Sequence, residues 1–434
     1  MFPTSKSCAI GVGLAFAAFL SAVQAAERPE FFDPESLSAD AFTEAVLARN
    51  ASLEAMRQAV VEAVAGIEPA GSLDDPMLTL SVAPSTWSNS GPPSGRGVVQ
   101  VSQALPWWGT LDAREEAARA EAEAARHDLD ALKLRLIAVA HGAFADWVFV
   151  HRSLEINADN QTVLADLRSI ARVRYTTGQT LQQDVLQADV ERTMLKHQAL
   201  ELERQRTTIQ ARMNALLNRG PEIEIPPPAA LPSTLDLPPQ EVLAERALAT
   251  HPRLQRLEAV RRGAEAQVRV EEKARYPQFR LNAGYNSLWE HEDLRPMVGI
   301  SINVPFGQDK YEAAIDAARA RVRRTASTLD DQRSMLLAEL ASAYAAVREA
   351  THSLALYRDE LVPLARASLE VAEADYGGGR GDFLNVLTAE RHQLTVEFNL
   401  ARLEAEYFRR LAELDRASGG ALRSLSSPTS TPIP

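Results

Sequence analysis

The sequence predicts a mainly α-helical chain, built twice on one plan, that carries a small membrane β-barrel too incomplete to close in one copy. Three observations lead there: an internal repeat, apolar stripes far longer than a globular helix, and four short segments of alternating apolar and polar residues.

The repeat comes first because it organises the rest. Leu47-Ala48-Arg49-Asn50 returns as Leu248-Ala249-Thr250-His251, 201 positions on. Arg174-Tyr175-Thr176-Thr177-Gly178 returns as Asp375-Tyr376-Gly377-Gly378-Gly379 at the same offset, and Asp184-Val185-Leu186 as Asn385-Val386-Leu387. The expected organisation is a signal peptide at 1–25, a first repeat at 26–218, a linker at 219–240, a second repeat at 241–420 and a disordered tail at 421–434.

The N-terminal segment has Lys6, an apolar run over 9–20, and Val23-Gln24-Ala25 as a cleavage site, which is the pattern of a secretory signal. Cys8, the single cysteine, lies inside it and lacks a lipobox setting, so the mature chain is expected to have no thiol, disulfide or lipid anchor. No later run approaches about 18 uninterrupted apolar residues, so no membrane-spanning helix is expected.

In each repeat a helix comes first (39–67 and 239–275), followed by two strands. A very long helix follows (111–175 and 311–376), then a glycine turn and a second long helix (181–217 and 383–417). Leu129, Leu132, Leu136, Val139, Ala143, Trp147, Val150 and Leu154 step by threes and fours, making one apolar stripe. The linker carries Pro221, Pro226, Pro227, Pro228, Pro232, Pro238 and Pro239, a density that excludes a helix.

The strands are expected at 76–84, 97–105, 277–287 and 296–305. Leu78, Leu80 and Val82 alternate with Thr79 and Ser81; Phe279, Leu281, Ala283 and Tyr285 alternate with polar residues, as do Val298, Ile300, Ile302 and Val304. Strands of about 9–11 residues span an outer membrane when tilted. Four strands leave open edges that lipid does not tolerate, whereas three copies would supply twelve and close. The loops 84–95 and 288–295 are polar and turn-rich. Two β-hairpins capping a soluble bundle is the plain structural alternative.

Net charge of −12 argues against a nucleic-acid partner. The chain lacks a glycine-rich phosphate loop, Gly-x-Ser-x-Gly and His-Glu-x-x-His, so it reads as no enzyme and implies no cofactor. No pair of histidines has metal-ligand spacing on a helix, most lie among charged residues, and His291 reads as part of a solvated loop.

With those residues in view, the chain resembles the TolC-like outer membrane efflux protein family over nearly all of its length. The resemblance rests on the duplication, on Leu105-Pro106-Trp107-Trp108-Gly109 and Val304-Pro305-Phe306-Gly307 after the strands, and on Tyr175, Gly178, Asp184-Val185-Leu186 with Tyr376, Gly379, Asn385-Val386-Leu387. It implies a homotrimer in the outer membrane whose helices form a periplasmic tunnel docking on an adaptor protein and an inner-membrane RND-type pump. It implies passive conduction, with docking at hairpin tips around Tyr175, Gly178, Tyr376, Gly378 and Gly379. Family members place acidic residues just after the second turn as a constriction. Here Asn385 and Thr388 hold those positions, Asp184 keeps an acid in the first copy, and Asp382 lies one turn earlier. For both aspartates a carboxylate favoured at a helix start is the other reading. The run from Leu105 to Gly109, with Leu111 and Arg114, is more similar to members paired with heavy-metal cation pumps than to drug exporters. The alternatives are a channel for drugs or secreted protein, or a periplasmic adaptor, which would need more β structure around one hairpin.

Overall fold

The computed structural model describes residues 35–82, 97–231 and 235–426. The expected signal peptide, loop 84–95 and the end of the tail lie outside them.

Two helical hairpins form the body. In the first, α4 (Thr110–Thr176), 67 residues and about 100 Å long, turns into α5 (Gln182–Leu216). In the second, α8 (Gln308–Leu356) passes through a π turn into α9 (Val362–Gly377), which turns into α10 (Phe383–Ala417). The expected helical stretch over 311–376 is continuous, with its α geometry interrupted ahead of Pro363. The proline nitrogen donates no hydrogen bond and its ring crowds the carbonyl four residues back, a misfit that the wider π turn at Tyr357–Leu361 absorbs.

The first helix of each repeat is broken. Residues 39–67 form α1 (Ala39–Arg49), α2 (Ala51–Ala65) and the start of α3 (Ile67–Gly71); residues 239–275 form α6 (Gln240–Thr250) and α7 (Pro252–Ala274). The breaks fall at Asn50 and His251, the repeat-related pair, and both do one job. Asn50 Oδ1 accepts from the Ser52 and Leu53 amides, and His251 Nδ1 accepts from the Arg253 amide at 3.2 Å, so each residue ends one helix and caps the next.

The buried face of α4 runs through Leu136, Ala140, Phe144, Trp147, Val150, Ser153, Asn157, Asn160, Leu164, Leu167 and Ala171. Val139 of the expected stripe is exposed instead, because alanines and two asparagines complete the packed face. Asn157 Nδ2 donates to Leu195 O of α5 at 3.1 Å, so its burial is compensated. One stretch of α4 is long and apolar enough to cross a membrane by composition, against the expectation of none. In the same helix Phe144, Trp147 and Val150 are buried with Phe42 of α1, Met213 of α5 and Phe408 of α10.

The linker is sewn to the body rather than free. Leu37 and Pro228 form a parallel bridge, Trp147 Nε1 donates to Pro226 O at 3.0 Å, and the Tyr407 hydroxyl accepts from the Leu235 amide at 2.9 Å. Residues 421–426, assigned to the disordered tail, form α11 (Ala421–Ser426), anchored by Arg423 Nε on Asp415 at 2.6 Å.

The strands β1 (Met77–Val82), β2 (Gly97–Leu105), β3 (Gln278–Asn286) and β4 (Pro296–Asn303) make one antiparallel sheet in chain order, with β2 and β3 joining the two repeats. The register separates two faces. Leu78, Val101, Ala283 and Val298 line up across the sheet, as do Leu80, Val99 and Tyr285, giving an apolar face. Thr79, Gln100 and Gly284, then Ser102 and Asn282, line up on the other, where Gln100 Nε2 donates to Asn282 Oδ1 at 3.1 Å. The apolar face is bare: Val298 is 91% and Ile300 65% exposed. A soluble protein would cover such a face.

Candidate functional site: the helical tips

Both hairpins reverse through the same backbone device. Gly178 and Gly379 take φ of +73° and +75°, a left-handed conformation that an L side chain resists. Gln179 N donates to Arg174 O at 2.8 Å and Arg380 N to Asp375 O at 2.9 Å, closing equivalent six-residue loops of the Schellman type. Gly378 is not left-handed, with φ of −78°. One of the tip glycines thus carries each reversal.

The two tyrosines of the repeat diverge. Tyr175 is 43% exposed, while Tyr376 is 3% exposed and packs on Phe383 with ring centroids 5.3 Å apart. Arg174, from the last turn of α4, reaches across to the second tip. Its guanidinium sits 4.6 Å from the Tyr376 ring centroid and donates to the Tyr376 carbonyl. The Thr180 hydroxyl donates to the Asp184 carboxylate. Burial pushes the Tyr376 hydroxyl's pKa up; nearby Thr180 opposes this, and the Asp184 charge adds to it. Beneath lies an apolar cluster drawn from all four helices, including Leu167, Ala188, Leu369, Phe383 and Val386.

The four constriction candidates therefore fall into two groups. Asp184 is half-buried and tied to Thr180. Asp382, Asn385 and Thr388 are exposed at successive intervals of three on the start of α10. Asp382 is the N-cap of α10, yet its carboxylate makes no capping hydrogen bond, so the helix start does not consume it.

Sequence reasoning missed Arg174, whose reach depends on the packing of one tip against the other. It also missed Glu390, 1% exposed on α10 with Oε1 lacking a partner, its pKa raised to about 7 by burial. The repeat held the clue. Asp189 is its counterpart and pairs with Arg168 at 2.5 Å, but the position corresponding to Arg168 is Leu369. Three histidines lie within the helical body, where burial lowers the pKa of His141, of His151 and, to about 4, of His251. His291 is exposed in its loop. Among the described residues no group of three or more His, Cys, Asp or Glu could hold a metal ion.

The profile of the outer membrane efflux protein family matches residues 43–219 and again 243–420. The chain belongs to that family. It is a non-enzymatic efflux channel of the outer membrane, with its helices on the periplasmic side. No curated protein sequence matches it. Similar solved structures include the outer-membrane channel OprN, at 21% identity and a TM-score of 0.72 over 90% of this chain and 91% of that one. VceC from Vibrio cholerae has 21% identity and a TM-score of 0.72 over 88% and 96%. The open state of MtrE from Neisseria gonorrhoeae has 18% identity and a TM-score of 0.73 over 88% and 89%. At these identities the likeness is one of fold.

Proposed function

We propose that the chain works as a homotrimeric exit duct that conducts cargo passively from a periplasmic adaptor and an inner-membrane RND-type pump to the exterior. The observation that carries this reading is the four-stranded sheet with one apolar face and two unpaired edges, β1 and β4, above hairpins about 100 Å long. Pairing β4 of one copy with β1 of the next removes every edge and gives twelve strands.

The tips form the gate and the docking surface. Arg174 and Tyr376 tie the two hairpins of one copy together beside the Thr180–Asp184 pair of the first, and opening separates them as a switch between two packed arrangements. Adaptor contact falls on the exposed turn residues around Tyr175, Gly178 and Gly378–Gly379. Asp184 and the stripe Asp382, Asn385 and Thr388 supply the constriction and favour cations.

Metal cations are the cargo to which the run from Leu105 to Gly109 points by resemblance. That run lies at the base of the barrel, far along α4 from the tips, and serves the membrane boundary. The acidic tip supports cationic cargo in general.

The test is single-channel conductance in planar bilayers. Asp184→Ala and Asp382→Ala should each lower cation-over-anion selectivity. Unchanged selectivity in both would remove these aspartates from the constriction.

A further inference from the structure

The base of the sheet carries a cleft that the duct itself does not use. It encloses about 430 Å³ and is lined by Leu105, Trp107, Trp108, Leu111, Phe279 and Ile300. Phe279, Leu105 and Ile300 belong to the apolar face of the sheet, so the cleft opens on the lipid side. Trp107 organises it, stacked on Tyr276 with centroids 4.8 Å apart and edge-on to Trp108 at 5.0 Å. Trp108 is 73% exposed, and among the described residues neither indole N–H has a protein acceptor.

Charge sits at the lower lip of this cleft, and it is unspent. Gly109, at φ +76°, begins α4 there. The Lys273 ammonium crosses the glycine and lies 3.8 Å from where a Cβ at that position would stand. Asp112, three residues on in the first turn of α4, lines the cleft itself. Both charges thus lie within one turn of Gly109, yet they form no ion pair with each other. Among the described residues neither has a side-chain partner, although the surrounding helices pair their charges freely, as in Arg319–Glu272 at 3.0 Å. Arg275, next in line, stacks over Tyr276.

We propose that this cleft is a binding site for one phospholipid with a zwitterionic ethanolamine headgroup, from the periplasm-facing leaflet. An acyl chain fills the aromatic cleft, which continues the membrane-facing apolar surface. The phosphodiester meets Lys273, and the primary ammonium donates to Asp112. The pair of opposite charges selects the headgroup. A phosphatidylglycerol offers Asp112 only neutral hydroxyl donors and has no ammonium to offset its phosphate charge. A phosphatidylcholine has a quaternary ammonium without N–H donors. The indole N–H groups face the level of the ester carbonyls, the usual use of interfacial tryptophan.

The test uses the assembled full-length protein, reconstituted in vesicles of equal parts phosphatidylethanolamine, phosphatidylglycerol and phosphatidylcholine, then released for native mass spectrometry. The wild type should retain one lipid per chain, with the ethanolamine class enriched about ten-fold, the size of one charge-assisted hydrogen bond. Asp112→Asn should bring the retained lipid back to the vesicle ratio, Lys273→Gln should lower retention of all three classes, and Lys273→Arg should keep both retention and enrichment. Trp107→Ala should lower retention of all three classes without changing their order. Retention in vesicle proportion by the wild type would mean boundary lipid only and overturn the proposal. So would an unchanged ethanolamine preference in Asp112→Asn.

Discussion

Glu390 offers the sharpest test of how the tips are held. It is 1% exposed on α10, two turns above the start of that helix, and Oε1 has no partner. The charged groups on the surrounding helices are committed elsewhere. Asp189 of α5 pairs with Arg168 of α4, Glu191 of α5 with Arg391, and Arg366 of α9 with Glu397; Glu370 and Glu373 of α9 could only repel it. Burial alone raises its pKa from 4.5 to about 7. At about 1.4 kcal/mol per pH unit, that separation corresponds to about 3 kcal/mol per chain. The sign follows from a raised carboxyl pKa. The stabilisation by the bound proton is complete below about pH 4.5 and is lost as the pH rises through about 7. Local opening of the first half of α10 should therefore become up to about a hundred-fold more frequent between pH 5 and pH 8. Amide exchange over residues 383–396, corrected for the intrinsic rate, measures it. Glu390→Gln removes the ionisation, so its protection should be flat with pH and exceed the wild type's at pH 8. Equal pH profiles for the two proteins, or a wild type that is flat, would refute the reasoning.

The remaining expectations concern the body of the helical region. His251 is 2% exposed, and burial lowers its pKa to about 4. Its neutral form therefore contributes stability above about pH 6.5 that is lost as the pH falls through about 4. His251→Asn should keep the cap, as Asn50 does in the first repeat, and abolish the loss in acid melts. Trp147→Phe deletes the hydrogen bond to Pro226 O and leaves that carbonyl unpaired. It should cost about 1–3 kcal/mol in denaturant unfolding and expose the linker to protease.

Much of the architecture was legible in the sequence because it depends on local periodicity. The step of three and four along α4, the alternation in Phe279, Leu281, Ala283 and Tyr285, and the 201-residue echo of Tyr175-x-x-Gly178 in Tyr376-x-x-Gly379 are properties of neighbours in the chain. They yield helix, strand, turn and duplication without knowledge of what packs on what. The helix breaks were half-legible: Asn50 is a capping residue by type, whereas His251 caps through a neutral ring whose Nδ1 accepts from the Arg253 amide. The tertiary structure alone decided the rest. Arg174 reaches Tyr376 across 202 positions, Glu390 lacks the arginine that its counterpart Asp189 has, and Lys273 and Asp112 meet at Gly109 without pairing. Each depends on where two distant backbones approach, and on whether water remains between them. Those distances are set by the sum of many weak packing contacts, which no single stretch of sequence encodes.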